Sequence, residues 1–552
     1  MELVNVRAKA LTPWGVAQMS KRKTGVAAVA FVLAVGLSAA SSSFAQVQHK
    51  MQLKVEPPKA VVMPTGGWQP KSIAYIKASN TNKDDQFGGA VALSGDGNTL
   101  AVGAVNEDGA GKGVNPVTKG KEMVTNSGAV YVYTRTAAGW KQQAYLKASN
   151  AGEGYQFGNA LSLTNDGNLL AVGSIGEASS AVGINSNQND NSMPGAGAVY
   201  VFARNGGNWS QQAYVKSSNT GGPVVGYQFG YSVSLSSDGS TLAVGQTSDP
   251  SNATGINGDQ KNTSAPDSGA VFVLGRDGDA WTQQAYVKPW NTTQRGVLFG
   301  YSVGLSGNGD TMGVGTYDED RGRGAVYVFT RKNRNWAQQM RLTASNAEPG
   351  DSLGCSLAIS DDGNTIVSGA FDEDAILPGI PPRDAGANDA ADDTSSGAAY
   401  VFVRKDGKWS QQAYVKAFNT RENDQFGWAL AISRDGNTIA IGSHLEDSGA
   451  KGINGDMKDT TAEDSGAVYV YTRSGDTWSP AAYVKASNTK PAAEFGIAVA
   501  LNADGKVLAV GATKENSAAK GVNGNQKDVS MVNAGAAYVY SDAAESATSS
   551  RK

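Results

Sequence analysis

The sequence predicts an all-β fold in which seven similar units close into a ring. The first observation is a repeated segment that opens with an apolar residue and glycine, at Phe87, Phe157, Phe229, Phe299, Leu353, Phe426 and Phe495. These copies follow one another at intervals of 70, 72, 70, 54, 73 and 69 residues. Such a period is typical of propellers and solenoids, whose stacked units bury a shared core. The second observation is that 69 of the 552 residues are glycine, as a chain rich in tight turns requires.

Each unit is predicted to be a four-stranded antiparallel blade, and the sixth copy shows the pattern clearly. Residues 426–443 read FGWALAISRDGNTIAIGS, two apolar runs joined by a turn at Asp435-Gly436. Asp-Gly favours a two-residue hairpin because both residues tolerate positive φ. A third strand is predicted in SGAVYVYTR, which ends at Arg473, and a fourth in AYVKASN, which begins at Ala482. The first strand is apolar on both faces, so it is predicted to be innermost.

The third observation concerns how the ring closes. The segment AYIKASN, which elsewhere ends a copy, stands alone before the first copy, at Ala74–Asn80. The seventh copy ends with AAYVYSD at Asp542 and has no fourth strand of its own. We therefore expect the strand at Ala74–Ser79 to pair with the strand at Ala536–Tyr540. This pairing would complete a seven-bladed β-propeller, a fold that leaves only short and protected sheet edges.

The predicted propeller, residues 69–542, is flanked by segments of a different kind. A basic run at residues 21–23 precedes an apolar run of 16 residues at 25–40, and Ser43-Phe44-Ala45 then offers a cleavage site. This pattern predicts a signal peptide over residues 1–45, translated from Met1 or from Met19. Residues 46–68 are predicted to be a proline-containing linker, and residues 543–552 a polar tail. No second apolar run is long enough to predict a transmembrane segment.

The net charge of the chain bears on its binding partners, and its single cysteine bears on core packing. Removal of residues 1–45 would leave the mature chain with a net charge of −7. This acidic balance argues against nucleic acid as a partner. The single cysteine, Cys355, lies in a predicted inner strand, where a small buried hydrophobic residue is expected.

Two further residue types recur once in most copies. A lysine near the end of the fourth strand is predicted to protect an exposed sheet edge, at Lys77, Lys147, Lys216, Lys288, Lys416 and Lys485. A tryptophan just before that strand is predicted to pack between the third and fourth strands, at Trp68, Trp140, Trp209, Trp281, Trp336, Trp409 and Trp478.

The combination of Phe-Gly, a turn, LAVGA and GAVYVY resembles the FG-GAP repeat of integrin α-subunit propellers and their bacterial relatives. The resemblance covers about residues 69–542. A competing resemblance is to WD-repeat propellers, whose inner hairpin is similar to SGDGNTLAVGA, but no Gly-His or Trp-Asp signature accompanies it here.

The integrin resemblance implies calcium in the hairpin between the first two strands. This chain departs from that pattern, since most of its hairpins offer one carboxylate, as at Asp96 and Asp435, and calcium prefers six to eight oxygens. Plain turn chemistry is therefore predicted there.

Acidic residues concentrate instead in the long connections between the second and third strands. Repeated carboxylates, Asx residues and glycines in these loops predict calcium as a possible cofactor, with Asx turns ordered by solvation as the alternative. The candidate metal ligands are Glu107, Asp108, Asp259, Asp372, Asp374, Glu446, Asp447 and Asp456.

All long connections are predicted to share one face of the propeller, because successive strands of a blade alternate in direction. We call this the long-loop face and the opposite one the hairpin face. In blade four the connection is only YDEDRGRG, which predicts a notch in the long-loop face. The candidate ligand-binding residues around this notch are Trp290, Phe418, Asp318, Glu319 and Asp320. The aromatic residues could stack on a sugar or peptide, and packing beneath a neighbouring loop is the alternative.

The sequence favours a secreted or cell-surface binding or adhesion module whose long-loop face binds an extracellular protein or glycan. The integrin resemblance implies the same face. An enzyme acting on extracellular polysaccharide and a structural envelope protein without a dedicated ligand are the alternatives. No histidine pair, cysteine–histidine pair or Gly-x-Ser-x-Gly elbow is present, so the sequence does not predict catalytic residues.

Overall fold

A computed structural model of the chain describes residues 67–117, 122–220, 226–291, 295–385 and 394–541. The predicted signal peptide at residues 1–45, the linker up to residue 66 and the tail at 543–552 lie outside the described residues.

The described residues form seven antiparallel sheets, and in six of them four strands lie in sequence order from the inside outward; the seventh sheet also includes the N-terminal strand. The chain starts with β1 (Ser72–Lys77). Blade one contains β2 (Phe87–Leu93), β3 (Thr99–Ala104), β4 (Ala129–Thr136) and β5 (Gly139–Leu146). Blade two contains β6 (Phe157–Leu163), β7 (Leu169–Ser174), β8 (Ala198–Asn205) and β9 (Asn208–Val215). Blade three contains β10 (Phe229–Leu235), β11 (Thr241–Gln246), β12 (Ala270–Asp277) and β13 (Ala280–Val287).

Blade four contains β14 (Ser302–Leu305), β15 (Thr311–Thr316), the short helical segment α1 (Glu319–Gly322), β16 (Ala325–Lys332) and β17 (Asn335–Leu342). Blade five contains β18 (Leu353–Ile359), β19 (Thr365–Ala370), β20 (Ala398–Lys405) and β21 (Lys408–Val415). Blade six contains β22 (Ala429–Ile432), β23 (Thr438–Ser443), β24 (Ala467–Ser474) and β25 (Thr477–Val484). Blade seven contains β26 (Phe495–Leu501), β27 (Val507–Ala512), β28 (Gly521–Val522) and β29 (Ala536–Ser541).

The ring closes through the N-terminal strand, as predicted. Strand β1 lies beside β29, with Ser72 opposite Ser541 and Ile76 opposite Ala537. The other side of β1 carries the two-residue strand β28. The predicted all-β, seven-bladed propeller closed by an N-terminal strand is therefore confirmed.

The Phe-Gly pair is explained by how adjacent blades meet. Phe157 is fully buried, and its ring packs edge-on against Tyr200 at a centroid distance of 5.3 Å. The backbone N–H of Phe157 donates to the carbonyl of Ser127 in blade one, at 3.1 Å. Gly158 follows with a φ of +99°, and a Cβ there would lie 2.7 Å from the carbonyl oxygen of Ala129. Only glycine fits this close approach. We call this line of contact between two blades a seam.

On the hairpin face, the inner hairpins are joined in a closed circle of backbone hydrogen bonds. Each first hairpin donates one N–H to a carbonyl of the next, over N–O distances of 2.9 to 3.2 Å. The acceptors, in order around the axis, are Asn165, Ser237, Gly307, Asp361, Arg434, Ala503 and Gly95. The aspartates of these hairpins make turns, since Asp435 Oδ1 accepts from the Asn437 N–H at 3.0 Å. This circle fixes the blades around the axis at that face.

Six of the seven repeated tryptophans are buried, as predicted, and four of them also donate a hydrogen bond to the preceding blade. Trp409 is buried beneath the guanidinium of Arg404, whose carbon lies 5.3 Å from the ring centroid. Its Nε1–H donates to Gln339 Oε1 of blade four at 2.9 Å. Trp68 differs, because its Nε1–H donates at 2.8 Å to the Gly505 carbonyl within blade seven, the blade that β1 completes.

Candidate functional site

The repeated lysines do not protect an exposed edge, and that prediction is wrong. Their side chains are 0 to 2% exposed, because the loop after the second strand covers the end of the fourth strand. Each ammonium pairs with a buried acid that follows the second strand of its blade. The pairs are Lys77 with Glu515, Lys147 with Glu107, Lys216 with Glu177, Lys288 with Asp249, Lys416 with Glu373 and Lys485 with Glu446.

These pairs belong to a polar cluster that recurs in the blades, which we call the lysine–acid cassette. In blade six, Glu446 accepts from Lys485 Nζ at 2.6 Å, from the Tyr483 hydroxyl at 2.9 Å and from Asn419 Nδ2 at 3.0 Å. The backbone N–H of Ser448 donates to the same carboxylate at 3.0 Å. Burial lowers the pKa of Lys485, and the charge of Glu446 opposes that shift. A buried charge is tolerated when it is paired and hydrogen-bonded in this way.

The predicted metal ligands are thus placed in several different settings. Glu107 and Glu446 are cassette acids whose oxygens accept from lysine, tyrosine and asparagine donors. Asp108, Asp374 and Asp447 each accept a hydrogen bond from a backbone N–H on the far side of their own loop. Asp259 and Asp456 each accept from a backbone N–H two residues further along the chain, in a local turn. Asp372 accepts from the hydroxyl of Ser352. Within the described ranges, no three Asp, Glu, His or Cys side chains come together as a set that could hold one ion. Calcium binding stays a prediction.

The notch over blade four contains a variant of the cassette. Glu319 occupies the position of the cassette acid, but its cation is Arg341, whose Nε lies 3.1 Å from Glu319 Oε1. Arg341 stands where the other blades have tyrosine, and Thr343 stands in place of the lysine. The Tyr327 hydroxyl also donates to Glu319, at 2.8 Å. Glu319 is therefore paired with a cation and a tyrosine, as the acids of the other cassettes are, but through a different cation and a third-strand tyrosine.

The remaining acids of the notch differ in their contacts. Asp320 is exposed and lies 3.4 Å from the guanidinium of Arg323. Asp318 is exposed at the start of α1, and its carboxylate caps no backbone N–H of that segment. Partial burial raises the pKa of the Asp318 carboxyl above its usual value.

The two predicted aromatic candidates are not part of one surface. Trp290 is 56% exposed, and its backbone N–H donates to Gln338 Oε1 of the outermost strand β17 at 3.0 Å. Phe418 is only 6% exposed, and its ring packs against Tyr471 at a centroid distance of 4.9 Å. Phe418 therefore packs against neighbouring residues, which was the alternative to its role as a ligand-stacking residue. Trp290 lies at the outer edge of blade four, whereas Asp318 follows its second strand.

The structure reveals an aromatic surface that sequence reasoning missed. Six rings form a continuous chain across blades three to six at the long-loop end of the inner strands. Successive centroids lie 4.9, 4.5, 6.4, 5.1 and 4.5 Å apart. We call this chain the aromatic arc, and its members in order are Tyr231, Tyr301, Tyr317, Phe371, Trp428 and His444.

A sequence signal for the arc exists in two columns of the repeat. One is the residue directly after Phe-Gly, and the other is the residue directly after the second strand. The other positions of these two columns hold smaller or aliphatic residues, namely Gly89, Asn159, Cys355, Ile497, Val105, Ile175, Thr247 and Thr513. Only the aligned copies show that the large rings fall in neighbouring blades.

The arc combines buried and accessible rings. Tyr231, Tyr301, Tyr317 and Trp428 are half-buried, whereas Phe371 and His444 are buried. Burial and the nearby charge of Lys514 lower the pKa of His444 to about 3, so the imidazole is neutral at physiological pH. Burial raises the pKa of the neighbouring Cys355 thiol to about 12, so it is not a thiolate nucleophile. The arc offers aromatic faces and hydroxyl groups, which suit stacking and hydrogen bonding rather than nucleophilic chemistry.

Comparison with known proteins supports the repeat assignment. The family described as "FG-GAP repeat" matches residues 71–133, 336–402 and 409–471. No curated protein sequence matches the chain. Among the solved structures that match the chain is the β-propeller domain of Cps50 (Swd1) from Myceliophteria thermophila, at 12% identity and a TM-score of 0.43, covering 79% of this chain and 95% of that one. Within the described part of the chain, no helix is both long and apolar enough to cross a bilayer.

Proposed function

Since the chain is an FG-GAP-repeat β-propeller, we propose that it is an exported binding or adhesion module. Its ligand would be an extracellular protein or glycan, bound on the long-loop face at the aromatic arc. Export is supported by the basic, apolar and small-residue pattern of residues 1–45. Loops and strand ends carried on a rigid scaffold are a common location for binding residues.

The observation that carries this proposal is the partial exposure of the arc. Elsewhere in the blades large aromatic rings such as Tyr131, Tyr200 and Tyr469 are fully buried. Tyr301, Tyr317 and Trp428 instead keep part of their surface open while contacting one another or the neighbouring rings of the arc. A contiguous apolar surface of this kind is typical of an interaction site. Aromatic rings with a polar atom, such as tyrosine and tryptophan, are favoured at such sites.

Blade four gives access to this surface. Only eight residues connect β15 to β16, whereas 24 residues connect β3 to β4. The short connection begins with Tyr317 of the arc, followed by the exposed carboxylate of Asp318. A ligand could therefore contact the rings and a hydrogen-bond acceptor without displacing a long loop.

The experiment is to screen the mature chain against glycans and extracellular proteins, and then to compare two tryptophan variants on any ligand found. Trp428→Leu removes a ring of the arc and should weaken binding by about 1–3 kcal/mol, the range of interface hot spots. Trp290→Leu removes an exposed ring at the outer edge of blade four and serves as the matched control. Thermal melts of both variants separate binding effects from folding effects.

The outcomes discriminate between the candidate functions. Loss of affinity in Trp428→Leu alone supports the arc, whereas loss in Trp290→Leu alone supports the outer edge of the notch. A ligand that binds both variants as well as the unaltered protein contradicts a site at either place. Cleavage of a bound glycan would favour the polysaccharide-active enzyme. A chain that binds no member of either library would favour a structural envelope protein.

A further inference from the structure

An arginine lies near the end of the third strand in six blades, at the hairpin face. The six are Arg135, Arg204, Arg276, Arg331, Arg404 and Arg473. Arg404 of blade five shows the usual contacts, since its Nε donates to Asn364 Oδ1 of its own blade at 2.9 Å. Its terminal nitrogens donate to Gln339 Oε1 and Thr311 Oγ1 of blade four, at 3.1 and 3.2 Å. The guanidinium thus joins the hairpin of one blade to the preceding blade.

Blades two, four and six repeat this set of contacts, so the acceptors come from fixed positions of the repeat. The first acceptor directly follows the hairpin glycine, and the second is the threonine that opens the second strand of the preceding blade. The third is a glutamine in the fourth strand of that blade. For Arg204, Arg331 and Arg473, the first acceptors are Asn168, Asp310 and Asn437, the second are Thr99, Thr241 and Thr365, and the third are Gln143, Gln284 and Gln412.

In blade three, two of the three acceptors around Arg276 are replaced. Ser240 follows the hairpin glycine of that blade, and Leu169 opens the second strand of blade two. The side chain of Arg276 turns instead to Asp279, whose Oδ1 accepts from a terminal nitrogen at 3.1 Å. Within the part of the chain that the structure describes, Arg276 Nε is buried and has no hydrogen-bond partner. Such a donor is costly unless a bound molecule accepts from it.

A cleft of about 640 Å³ opens beside Arg276, where the hairpins of blades two and three meet. We call it the arginine cleft. Its volume lies within the usual range of small-molecule sites, about 300–1,000 Å³. Leu169 and Ala203 supply apolar surface, and the acids that line the cleft are Asp166, Asp238 and Asp279. The cleft therefore combines an apolar wall with hydrogen-bonding groups of both kinds.

The replacement by Ser240 also changes an acceptor of the cleft. In blade two, the side-chain amide of Asn168 donates to Asp166 Oδ2 at 2.9 Å. Ser240 has no amide, and Asp238 Oδ1 accepts from the Ser236 hydroxyl and the Ser240 N–H at 2.6 and 2.9 Å. The other oxygen of Asp238 thus lacks the amide donor that Asp166 has. One substitution leaves both a donor and an acceptor at the cleft with fewer partners than in the other blades.

The charges around the cleft select the kind of molecule that fits these groups. The three carboxylates repel an anion, and a carboxylate ligand would have to share Arg276 with Asp279. A cation cannot accept from Arg276 Nε. A neutral hydroxyl can, because it accepts from an N–H and donates to a carboxylate. A sugar ring carries several hydroxyls around an apolar C–H face, which matches the polar rim and the wall at Leu169.

We propose that the arginine cleft binds one neutral saccharide unit. The Arg276 Nε–H donates to a hydroxyl of the sugar, the Asp238 carboxylate accepts from another, and the C–H face lies on Leu169. This site is on the hairpin face, opposite the aromatic arc. It is therefore a second binding site, and it does not depend on the function proposed above.

Calorimetric titration of the full mature chain with neutral methyl glycosides of glucose, galactose, mannose and N-acetylglucosamine tests this site. At least one of them should bind the unaltered chain. The double variant Leu169→Thr with Ser240→Asn gives Arg276 both acceptors that the other arginines have. Its guanidinium should then turn back into the seam, and affinity should fall by about tenfold or more, as expected for loss of a hydrogen bond to a charged group. The fold should be kept, because the same residue types occupy these columns in other blades.

Arg276→Gln provides an independent test, with Arg404→Gln as its matched control. Arg276 is bonded only to the exposed Asp279, so its loss should weaken sugar binding by about tenfold or more and change the melting temperature little. Arg404 makes three bonds within the propeller, so its loss should lower the melting temperature and leave the affinity unchanged.

Four results would overturn the proposal. The first is that no neutral glycoside binds the unaltered chain, and the second is that one binds it and both cleft variants equally well. The third is a loss of affinity in Trp428→Leu but not in Arg276→Gln, which would assign the saccharide to the aromatic arc. The fourth is tighter binding of glucuronate, glucosamine or glycine than of any neutral glycoside, since a charged ligand would then fit the cleft better than a neutral one.

Discussion

The lysine–acid cassette of blade four uses an arginine in place of the lysine, and substitutions in blade six can reproduce this variant. Lys485→Thr copies Thr343 and removes the ammonium that lies 2.6 Å from Glu446. Glu446 is 0% exposed, so its carboxylate would stay buried with its main cation missing. Removing one partner of a buried pair typically costs about 3–5 kcal/mol of unfolding free energy. Arg421 is 3.9 Å from Glu446 and partly exposed, so it should recover only a small part of that loss.

Adding Tyr483→Arg to Lys485→Thr reproduces the pair of Arg341 and Glu319. In blade four this guanidinium lies 3.1 Å from the acid and replaces both the tyrosine and the lysine of the other cassettes. We expect the double variant to regain at least about half of the loss, roughly 2 kcal/mol, since the charge is again paired. Tyr483→Arg alone should destabilise the fold, because it brings a second cation beside Lys485.

Urea unfolding followed by tryptophan fluorescence and by circular dichroism measures these differences, and agreement of the two probes checks that the transition is cooperative. The matched control is Lys405→Thr, which breaks an exposed pair with Asp476 and should cost far less unfolding free energy than the buried pair, because solvent screens exposed charges. A loss in Lys485→Thr no larger than that of the control would refute the role of the buried pair. Failure of Tyr483→Arg to restore stability would refute the equivalence of the two cassette forms.

Three further predictions concern closure, calcium and export. Deletion of residues 73–80 removes most of β1, with its pairing to β29 and the bond of Lys77 to Glu515, and should lower the unfolding free energy by several kcal/mol; an unchanged melting temperature would contradict this. If calcium binds the native long loops, melting in calcium should occur at a higher temperature than in chelator, and identical curves would leave these loops as Asx turns. Export with cleavage after Ala45 should give a mature chain that starts at Gln46, and intact mass that retains residues 20–45 in the exported protein would contradict the predicted signal peptide.

The fold was predictable because its determinants are local and repeated. Phe-Gly, the Asp-Gly turn and the apolar third strand each act within a few residues, and the displaced strand at Ala74 revealed the ring closure. The role of the lysines was not predictable in the same way. Alternation along the strand places Lys485 on one face, but only the folded chain shows that the loop carrying Glu446 covers it. Edge strands usually expose such residues, and here the long connection turns the end of an outer strand into core.

The candidate site was only partly predictable, because its residues come together through the ring and not through the chain. Tyr301 and Tyr317 lie in one blade, whereas Phe371 and Trp428 come from the next two, and their contacts depend on the angle between blades. Sequence reasoning found the notch and the exposed Trp290, since a short loop and an aromatic in a polar segment are visible in one copy. It also selected Phe418, whose ring proved to be core.

The repeats separate residues that build the propeller from residues that distinguish one blade from another. Phe-Gly and the cassette acid with its cation are present in nearly every copy, and where the lysine is lost in blade four, Arg341 supplies the charge. The differences concentrate in the columns after Phe-Gly and after the second strand, and in the column two residues before Phe-Gly. All of these columns lie at the long-loop end of the inner strands. Rings fill one or both of the first two columns in blades three to six, and buried acids fill the third column in blades one, five and six. Because the scaffold tolerates small or neutral residues at each column in other blades, folding alone does not require the rings or the acids.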